Sequence, residues 1–205
     1  MSHKAAVESR ARRQAQAAQQ SQSQHRRRSR LVWAVTGLLL TAVVAAMMLT
    51  SRPGSSDAVR DAPGFTLTDT SGASHSLAQH RGQNVLIYFS EGAGCQSCLV
   101  QMGEIEKRAA DFAAQNITVL PVVMNTKEQI AHDMALNGVT TPFLLDDGTV
   151  SNEYGTLGKG MHAGLPGHSL VLIDAEGRQR WYGEYPSMWL SPADLLKEVR
   201  SRLAA

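Results

Sequence analysis

The sequence predicts an α/β domain in which strands and helices alternate, preceded by one membrane-spanning helix. Three observations carry this prediction. An apolar run without charge covers residues 31–51, strand-like runs and amphipathic helical patterns then alternate, and the two cysteines lie three positions apart at a strand-to-helix junction. Hydrophobic residues make up 43% and charged residues 19% of the 205 positions, which is a globular composition and excludes wholesale disorder.

The charge is distributed unevenly along the chain. Residues 1–30 hold eight Lys or Arg side chains and one acidic side chain, whereas the remainder carries 12 basic and 17 acidic side chains. An acidic body argues against nucleic acid as a partner, because phosphate binding requires a basic surface on the folded part. The first segment has little apolar mass to offset the entropy of ordering, so we expect residues 1–30 to be a disordered basic tail.

Residues 31–51 are long enough to span a membrane. As a helix, these 21 uncharged residues extend about 31 Å, close to the roughly 30 Å thickness of the hydrocarbon layer. The basic tail precedes the span, so the positive-inside rule places residues 1–30 in the cytoplasm and the domain outside it. A cleaved signal peptide is the alternative, but the apolar run exceeds a usual signal core. We therefore expect a retained single-pass anchor in contact with the lipid bilayer.

A short linker rich in Pro, Gly and Ser is predicted over residues 52–60, and the folded domain over 61–205. About 145 residues are enough for a hydrophobic core without support from disulfides. Two cysteines exclude a multi-disulfide scaffold, a four-cysteine zinc site and an iron–sulfur cluster.

The first half of the domain predicts a hairpin followed by a strand, a helix and another strand. Residues 65–69 and 74–77 form the arms of the hairpin around the turn at Gly72. The continuous apolar run 85–89 is typical of a strand buried on both faces. One helix is expected after the cysteines, with apolar positions one turn apart as far as Phe112, and a buried strand follows it.

The second half predicts a helix, a long loop, a hairpin and a final helix. The pattern over 126–137 indicates a helix that the next glycine ends. Residues 155–167 hold five glycines, a composition that favours a mobile loop. A strand over 170–173 returns through 178–185 as a hairpin, and Ser191 caps the last helix.

The chemistry is predicted to reside in Cys95 and Cys98. A thiolate is the nucleophile in disulfide exchange, and helix N-termini lower the pKa of thiols. Cys95 would lie just before the helix and act as the nucleophile, and Cys98 would lie one turn inside it and resolve the mixed disulfide. A structural disulfide is the alternative, but a bridge over so short a loop removes little chain entropy.

These patterns together resemble the thioredoxin-like fold, a central mixed sheet flanked by helices. More narrowly, they resemble membrane-anchored bacterial redoxins of the alkyl hydroperoxide reductase/thiol-specific antioxidant (AhpC/TSA) type. The resemblance covers about residues 61–205, and the segments that carry it are 65–72, 85–89, 95–98, 142–146, 154–155 and 172–177. It implies a redox-active Cys95–Cys98 disulfide, no cofactor, a place in the bacterial cell membrane, and protein thiol or disulfide clients with an upstream electron donor.

Several positions depart from the family's patterns. The peroxidase signature PxxxTxxC has Pro and Thr upstream of the reactive cysteine, where this chain has Tyr88 and Gly92. Gly94 replaces the Trp that precedes the cysteine pair in thioredoxins, and the usual cis-proline position falls on His168, after Gly167. We therefore expect exchange of protein disulfides, with a thiol-dependent antioxidant peroxidase as the alternative.

Three residues are candidates for the edge of the active site: Glu91, Gly167 and His168. His168 could stabilise the thiolate or relay a proton, although a histidine that only lines the edge is the simpler expectation. Glu91 could accept a proton if desolvated, but a solvated loop carboxylate is expected.

A non-enzymatic copper-binding protein is the second alternative. Thiolates select Cu(I), and Met161, His162 or His168 could add a ligand. Copper-delivery redoxins usually have one more residue between their cysteines, so no metal site is predicted. Core and hairpin packing is expected for the aromatic residues near the C-terminus, rather than a docking patch; these residues are Trp181, Tyr182 and Trp189.

Overall fold

The computed structural model describes residues 31–49 and 53–204, which form two units. Helix α1 (Leu31–Leu49) is the described part of the first unit, and its residues are exposed along its whole length. It is long and apolar enough to cross a membrane, which is consistent with a single-pass anchor. The predicted tail, residues 1–30, and the end of the predicted span lie outside the described residues.

A mixed sheet forms the centre of the second unit. Its strands in the described residues are β1 (Gly54–Ser56), β2 (Arg60–Asp61), β3 (Thr66–Asp69), β4 (Ser74–Ser76), β5 (Asn84–Phe89), β6 (Ile117–Val123), β7 (Leu144–Leu145), β8 (Ser169–Ile173) and β9 (Arg178–Glu184). They lie in the order β1-β9-β8-β5-β6-β7-β3-β4, and β2 also pairs with β9. The pairs β5–β6 and β6–β7 are parallel, whereas the other pairs are antiparallel.

Helices flank this sheet, as the sequence predicts. They are α2 (Gln96–Glu106), α3 (Ala109–Ala113), α4 (Lys127–Asn137), α5 (Thr149–Glu153) and α6 (Pro192–Leu203), with a 3₁₀ turn at Leu77–His80. Local signals set their ends: Thr126 and Ser191 cap α4 and α6, and Gly138 ends α4 at φ 65°.

The structure differs from the sequence prediction at two places. The single helix expected after the cysteines is divided, because Arg108 leaves helical geometry at φ −109° and ψ 17° and begins α3. Strand pairing reaches into the predicted linker 52–60, since Gly54–Ser56 lies within it and Arg60–Asp61 begins at its last residue, and both pair with β9. An edge strand offers unpaired backbone groups, and a segment with little pattern of its own satisfies them.

The core lies on both sides of the sheet. Along β5, Leu86 and Tyr88 belong to one buried cluster, and Val85, Ile87 and Phe89 belong to the other. This alternation confirms a strand buried on both faces. Both cysteines belong to the cluster that contains Leu86 and Tyr88, so the cysteine pair is built into the core that α2 and α6 share.

Candidate functional site

The two cysteines form a disulfide at the N-terminus of α2. Their Cα atoms lie 5.3 Å apart, and Cys95 is the N-cap residue of the helix. The Cys98 amide donates a hydrogen bond to Cys95 Sγ over 3.3 Å. Cys95 is 9% exposed and Cys98 1% exposed. The sulfur that caps the helix is therefore also the one nearer to solvent.

Two glycines shape the loop that leads to the cysteines. Gly92 and Gly94 have φ values of +74° and +85°, which favour glycine. A Cβ atom at Gly92 would overlap the Asn125 side chain, whose Oδ1 accepts a hydrogen bond from the Ala93 amide over 2.8 Å. Gly92 stands where the peroxidase signature has Thr, so this backbone leaves no room for the Thr side chain.

Tyr88 and His168 form a buried pair behind Cys98. The Tyr88 hydroxyl donates to the Cys98 carbonyl oxygen over 3.2 Å and lies 3.2 Å from His168 Nδ1. Because the single hydroxyl proton is directed at Cys98, we infer that Nδ1 carries the imidazole proton and that Nε2 is a bare acceptor. Burial lowers the pKa of His168 to about 4 and raises the pKa of Tyr88, so both side chains are neutral at pH 7.

A cavity of about 170 Å³ lies beside this pair. Its walls are mostly apolar, and His168 is one of the residues that line it. Nε2 of that imidazole is buried without a hydrogen-bond partner among the described residues. Met188 connects the cavity with the disulfide, since its Sδ lies 3.9 Å from Cys95 Sγ. The lining residues are Lys159, Gly160, Met161, His168, Tyr185, Pro186 and Met188.

The prediction of a solvated Glu91 is wrong. Glu91 is 3% exposed, and its Oε1 accepts hydrogen bonds from the amides of Met161 and His162 over 2.7 and 3.1 Å. Its Oε2 lies 2.8 Å from His162 Nδ1. The carboxylate is buried because the glycine-rich loop folds over it and replaces its hydration.

Residues 159–161 of the glycine-rich loop form one wall of the cavity and pack closely against Gly167 at the end of the same loop. A Cβ atom at Gly167 would lie 2.5 Å from the Lys159 carbonyl carbon, so a larger residue there would displace the wall. Of the three edge candidates, His168 lines the cavity, whereas Glu91 and Gly167 contact wall residues Met161 and Lys159 from outside it. Their roles, and the mobility of residues 155–167, stay predictions.

The histidines considered as copper ligands are each paired with another side chain. His162 pairs with Glu91, and His168 pairs with Tyr88. In the described part of the chain, no group of three His, Cys, Asp or Glu side chains is arranged to hold a metal ion. Trp181 is buried and Trp189 is 41% exposed, so the aromatic residues do not share one surface.

Met188 and Asp133 are site residues that the sequence analysis missed. Met188 reaches Cys95 from a turn 93 positions away, and the Asp133 carboxylate accepts a hydrogen bond from the Gly94 amide over 2.7 Å. The turn before Met188 contains Pro186 and Ser187, which indicate a reversal of the chain but not its direction.

Comparison with known proteins confirms the family resemblance. The sequence model of the AhpC/TSA family matches residues 59–181. A protein of Mycobacterium tuberculosis strain H37Rv, provisionally named a peroxiredoxin, is 29% identical over 122 residues. The match covers 57% of this chain and 78% of that protein.

Solved structures confirm the thioredoxin-like fold. A 2-Cys peroxiredoxin of Plasmodium vivax is similar with a TM-score of 0.63 at 18% identity, covering 73% of this chain and 98% of that one. A Bacteroides thetaiotaomicron protein, provisionally described as a protein disulfide isomerase, is similar with a TM-score of 0.57 at 25% identity. That match covers 71% of this chain and 89% of the other.

Proposed function

The chain belongs to the AhpC/TSA family of thiol oxidoreductases and peroxidases, and we propose that it exchanges protein disulfides through Cys95 and Cys98. The observation that carries this proposal is the position of Cys95 as the cap of α2, with the Cys98 amide directed at its sulfur. In the dithiol form the same amide and the helix N-terminus would stabilise a Cys95 thiolate.

The proposed exchange has two steps in the reducing direction. The Cys95 thiolate attacks one sulfur of a client disulfide, and the other client sulfur leaves as a thiolate. The Cys98 thiolate then attacks Cys95 Sγ, which releases the second client sulfur and closes the Cys95–Cys98 disulfide. An upstream dithiol donor reduces this disulfide again and is itself oxidised.

Trapping of the mixed disulfide tests the proposal. We expect the full-length Cys98→Ser variant in detergent to form a covalent adduct through Cys95 with a disulfide-linked reporter peptide, because the resolving thiol is absent. Mass spectrometry and non-reducing gels detect the adduct. The matched Cys95→Ser variant, which keeps the buried thiol, should form none. Equal adduct formation by both variants, or by neither, contradicts the assignment of the roles.

A thiol-dependent peroxidase is the second candidate function. The relatives favour it, since several are named as peroxiredoxins. The loop geometry at Gly92 opposes it, because the Thr side chain of the peroxidase signature does not fit there. Consumption of hydrogen peroxide by the reduced protein separates the two candidates. We expect slow consumption by the wild-type dithiol; consumption faster than disulfide exchange would make the peroxidase the main activity.

We also propose that residues 31–51 anchor the chain with residues 1–30 in the cytoplasm and the domain outside it. The basic tail before the apolar helix supports this orientation. Protease added to intact spheroplasts should digest the domain and leave an N-terminal epitope protected. Digestion of the epitope in intact spheroplasts contradicts the orientation, and loss of the helix from the mature chain contradicts the anchor.

A further inference from the structure

Met188 is held in a strained position against the redox site. Its φ of 55° is unusual for a residue with a side chain, and such conformations persist only where the surrounding structure fixes them. Both ends of its turn are tied: the Tyr185 amide donates to the His168 carbonyl over 2.9 Å, and the Leu190 amide donates to Gln101 Oε1 over 2.8 Å. The strained turn therefore keeps the thioether beside Cys95.

We propose that Met188 is a reversible oxidation site and that the Cys95–Cys98 dithiol reduces its sulfoxide. The inference rests on the proposed function, because repair requires the cysteine pair to cycle between dithiol and disulfide. It adds an internal substrate that neither the family nor the relatives assign. Three observations carry it: the 3.9 Å contact between the two sulfurs, the cavity that Met188 and His168 both line, and the buried His168 Nε2, which has no partner among the described residues.

The oxidation step needs a hydroperoxide. Met188 is half-buried and lines a cavity beside the glycine-rich loop, so a small oxidant can reach its sulfur. The hydroperoxide transfers one oxygen atom to Sδ and leaves as water or an alcohol. The apolar thioether becomes a polar sulfoxide, as in other oxidised methionines.

The repair step uses both cysteines. The Cys95 thiolate attacks the sulfoxide, takes its oxygen together with the proton that the thiol had released to solvent, and becomes a sulfenic acid while Met188 returns to the thioether. The Cys98 thiol then condenses with the sulfenic acid, which forms the Cys95–Cys98 disulfide and releases water. In sum, one sulfoxide and two thiols give one thioether, one disulfide and one water, so the methionine is reduced and the dithiol is oxidised.

His168 offers the hydrogen-bond donor that the departing oxygen requires. Its side chain is 3% exposed, and Nε2 has no partner among the described residues. When the imidazole loses its Nδ1 proton to solvent and takes one up at Nε2, the Tyr88 hydroxyl donates to the freed Nδ1 instead of the Cys98 carbonyl, and Nε2 becomes a donor. It can then donate to the sulfoxide oxygen.

Peptide mass spectrometry of the full-length protein in detergent tests the inference. Hydrogen peroxide is first applied to the disulfide form, so that the cysteines are protected while methionines are oxidised. After removal of the peroxide, a phosphine reduces the disulfide and is removed, and samples are quenched and alkylated over time. Met124 is the internal control, because it is also half-buried but follows β6 rather than lying in the turn that contacts Cys95.

We expect the Met188 sulfoxide to disappear as the disulfide forms, with one oxygen lost per two thiols, while the Met124 sulfoxide persists. In Cys98→Ser protein, Cys95 is blocked as a mixed disulfide with a small thiol during the peroxide step and freed by the phosphine. Met188 should then still be repaired once, and Cys95 should appear as a sulfenic acid that dimedone captures. In His168→Asn protein, repair should slow by about a hundredfold. Far-UV circular dichroism of that variant at neutral pH should match wild type, which shows that the protein is folded and that slow repair reports the missing donor.

Two results overturn the inference: peroxide leaves Met188 unoxidised, or its sulfoxide persists as long as that of Met124 while both thiols stay reduced. Glutathione disulfide separates this failure from failure of the proposed function. A dithiol that glutathione disulfide still converts to Cys95–Cys98 keeps the proposed function and rejects only the repair. A dithiol that it cannot convert rejects both.

Discussion

Two buried carboxylates, each 3% exposed, are held in different ways. Asp69 accepts hydrogen bonds from the amides of Ser71 and Ala73 over 2.8 and 3.0 Å, and His75 Nε2 lies 2.8 Å away. All these partners lie within six positions in one hairpin. Glu91 is held by Met161 and His162, which lie 70 positions or more along the chain.

This difference separates a structural cluster from one that shapes the site. The Asp69 cluster closes a turn and fixes the shape of the hairpin that contains it. The Glu91 cluster joins the loop before the cysteines to the loop that walls the cavity. Loss of the first should lower stability alone, whereas loss of the second should also change access to Cys95.

The largest expected effect comes from removal of the nucleophile, which belongs to neither cluster. Cys95→Ser should reduce disulfide exchange with a reporter peptide to the background rate, because it removes the nucleophile. Asp69→Asn alters the end of β3, which β6 and β7 separate from β5 in the sheet, and should keep at least about half of the wild-type rate. Stopped-flow measurement of exchange by the reduced proteins makes the comparison. Substantial exchange by Cys95→Ser would mean that Cys98 is the attacking residue.

Acid should remove the contributions of His168 and Asp69 to stability in different pH windows. Burial lowers the pKa of His168 to about 4, so the unfolded state binds its proton first, and stability should fall by about 3 kcal/mol as pH drops from 6.5 to 4. Burial alone would raise the pKa of Asp69, but hydrogen bonds from Ser71, His75 and Ala73 lower it to about 2. Its contribution is therefore present above pH 3.8 and is lost as pH falls toward 2.

Urea denaturation at a series of pH values checks these windows. His168→Asn should flatten the curve between pH 6.5 and 4, and Asp69→Asn should leave that part unchanged. The same slope in wild type and His168→Asn between these pH values would refute the assignment to His168.

Replacement of each carboxylate by its amide compares the two clusters directly. Glu91→Gln and Asp69→Asn should each lower the free energy of unfolding by about 1–3 kcal/mol, because buried amide donors lose a charged acceptor. We expect only Glu91→Gln to change the exchange rate, by about two- to tenfold, since it releases the cavity wall. Equal effects of both variants on exchange would remove the distinction between the clusters.

The smallest expected effect comes from substitution of two glycines in the glycine-rich loop, residues 155–167. A Cβ at Gly160 would overlap Glu91 Oε1, whereas a Cβ at Gly164 meets nothing within 4 Å. Gly160→Ala should lower stability by about 1 kcal/mol, and Gly164→Ala should change it by less than about 0.5 kcal/mol. Thermal unfolding measures both. A tolerated Gly160→Ala would mean that the loop adapts and that Glu91 does not fix it.

The same contrast explains how much the sequence could predict. The hairpin, β5, α4 and α6 follow from apolar periodicity and capping residues that lie within one element, as does the place of Cys95 before α2. The burial of Glu91, the contact of Met188 and the pairing of β1 with β9 depend on residues distant in the chain. Local sequence patterns do not identify such distant partners. For this reason the sequence predicts a solvated carboxylate at Glu91 and a linker where β1 forms.

The central claim is that Cys95 and Cys98 form a reversible redox couple. The most direct test equilibrates the full-length protein in detergent with glutathione or dithiothreitol buffers and counts free thiols by alkylation. We expect one two-electron transition that converts both cysteines together; a potential below about −220 mV would indicate a reductase, and one near −120 mV an oxidant of clients. A pair that stays oxidised or stays reduced across all buffers, or that titrates as two independent thiols, would contradict the claim.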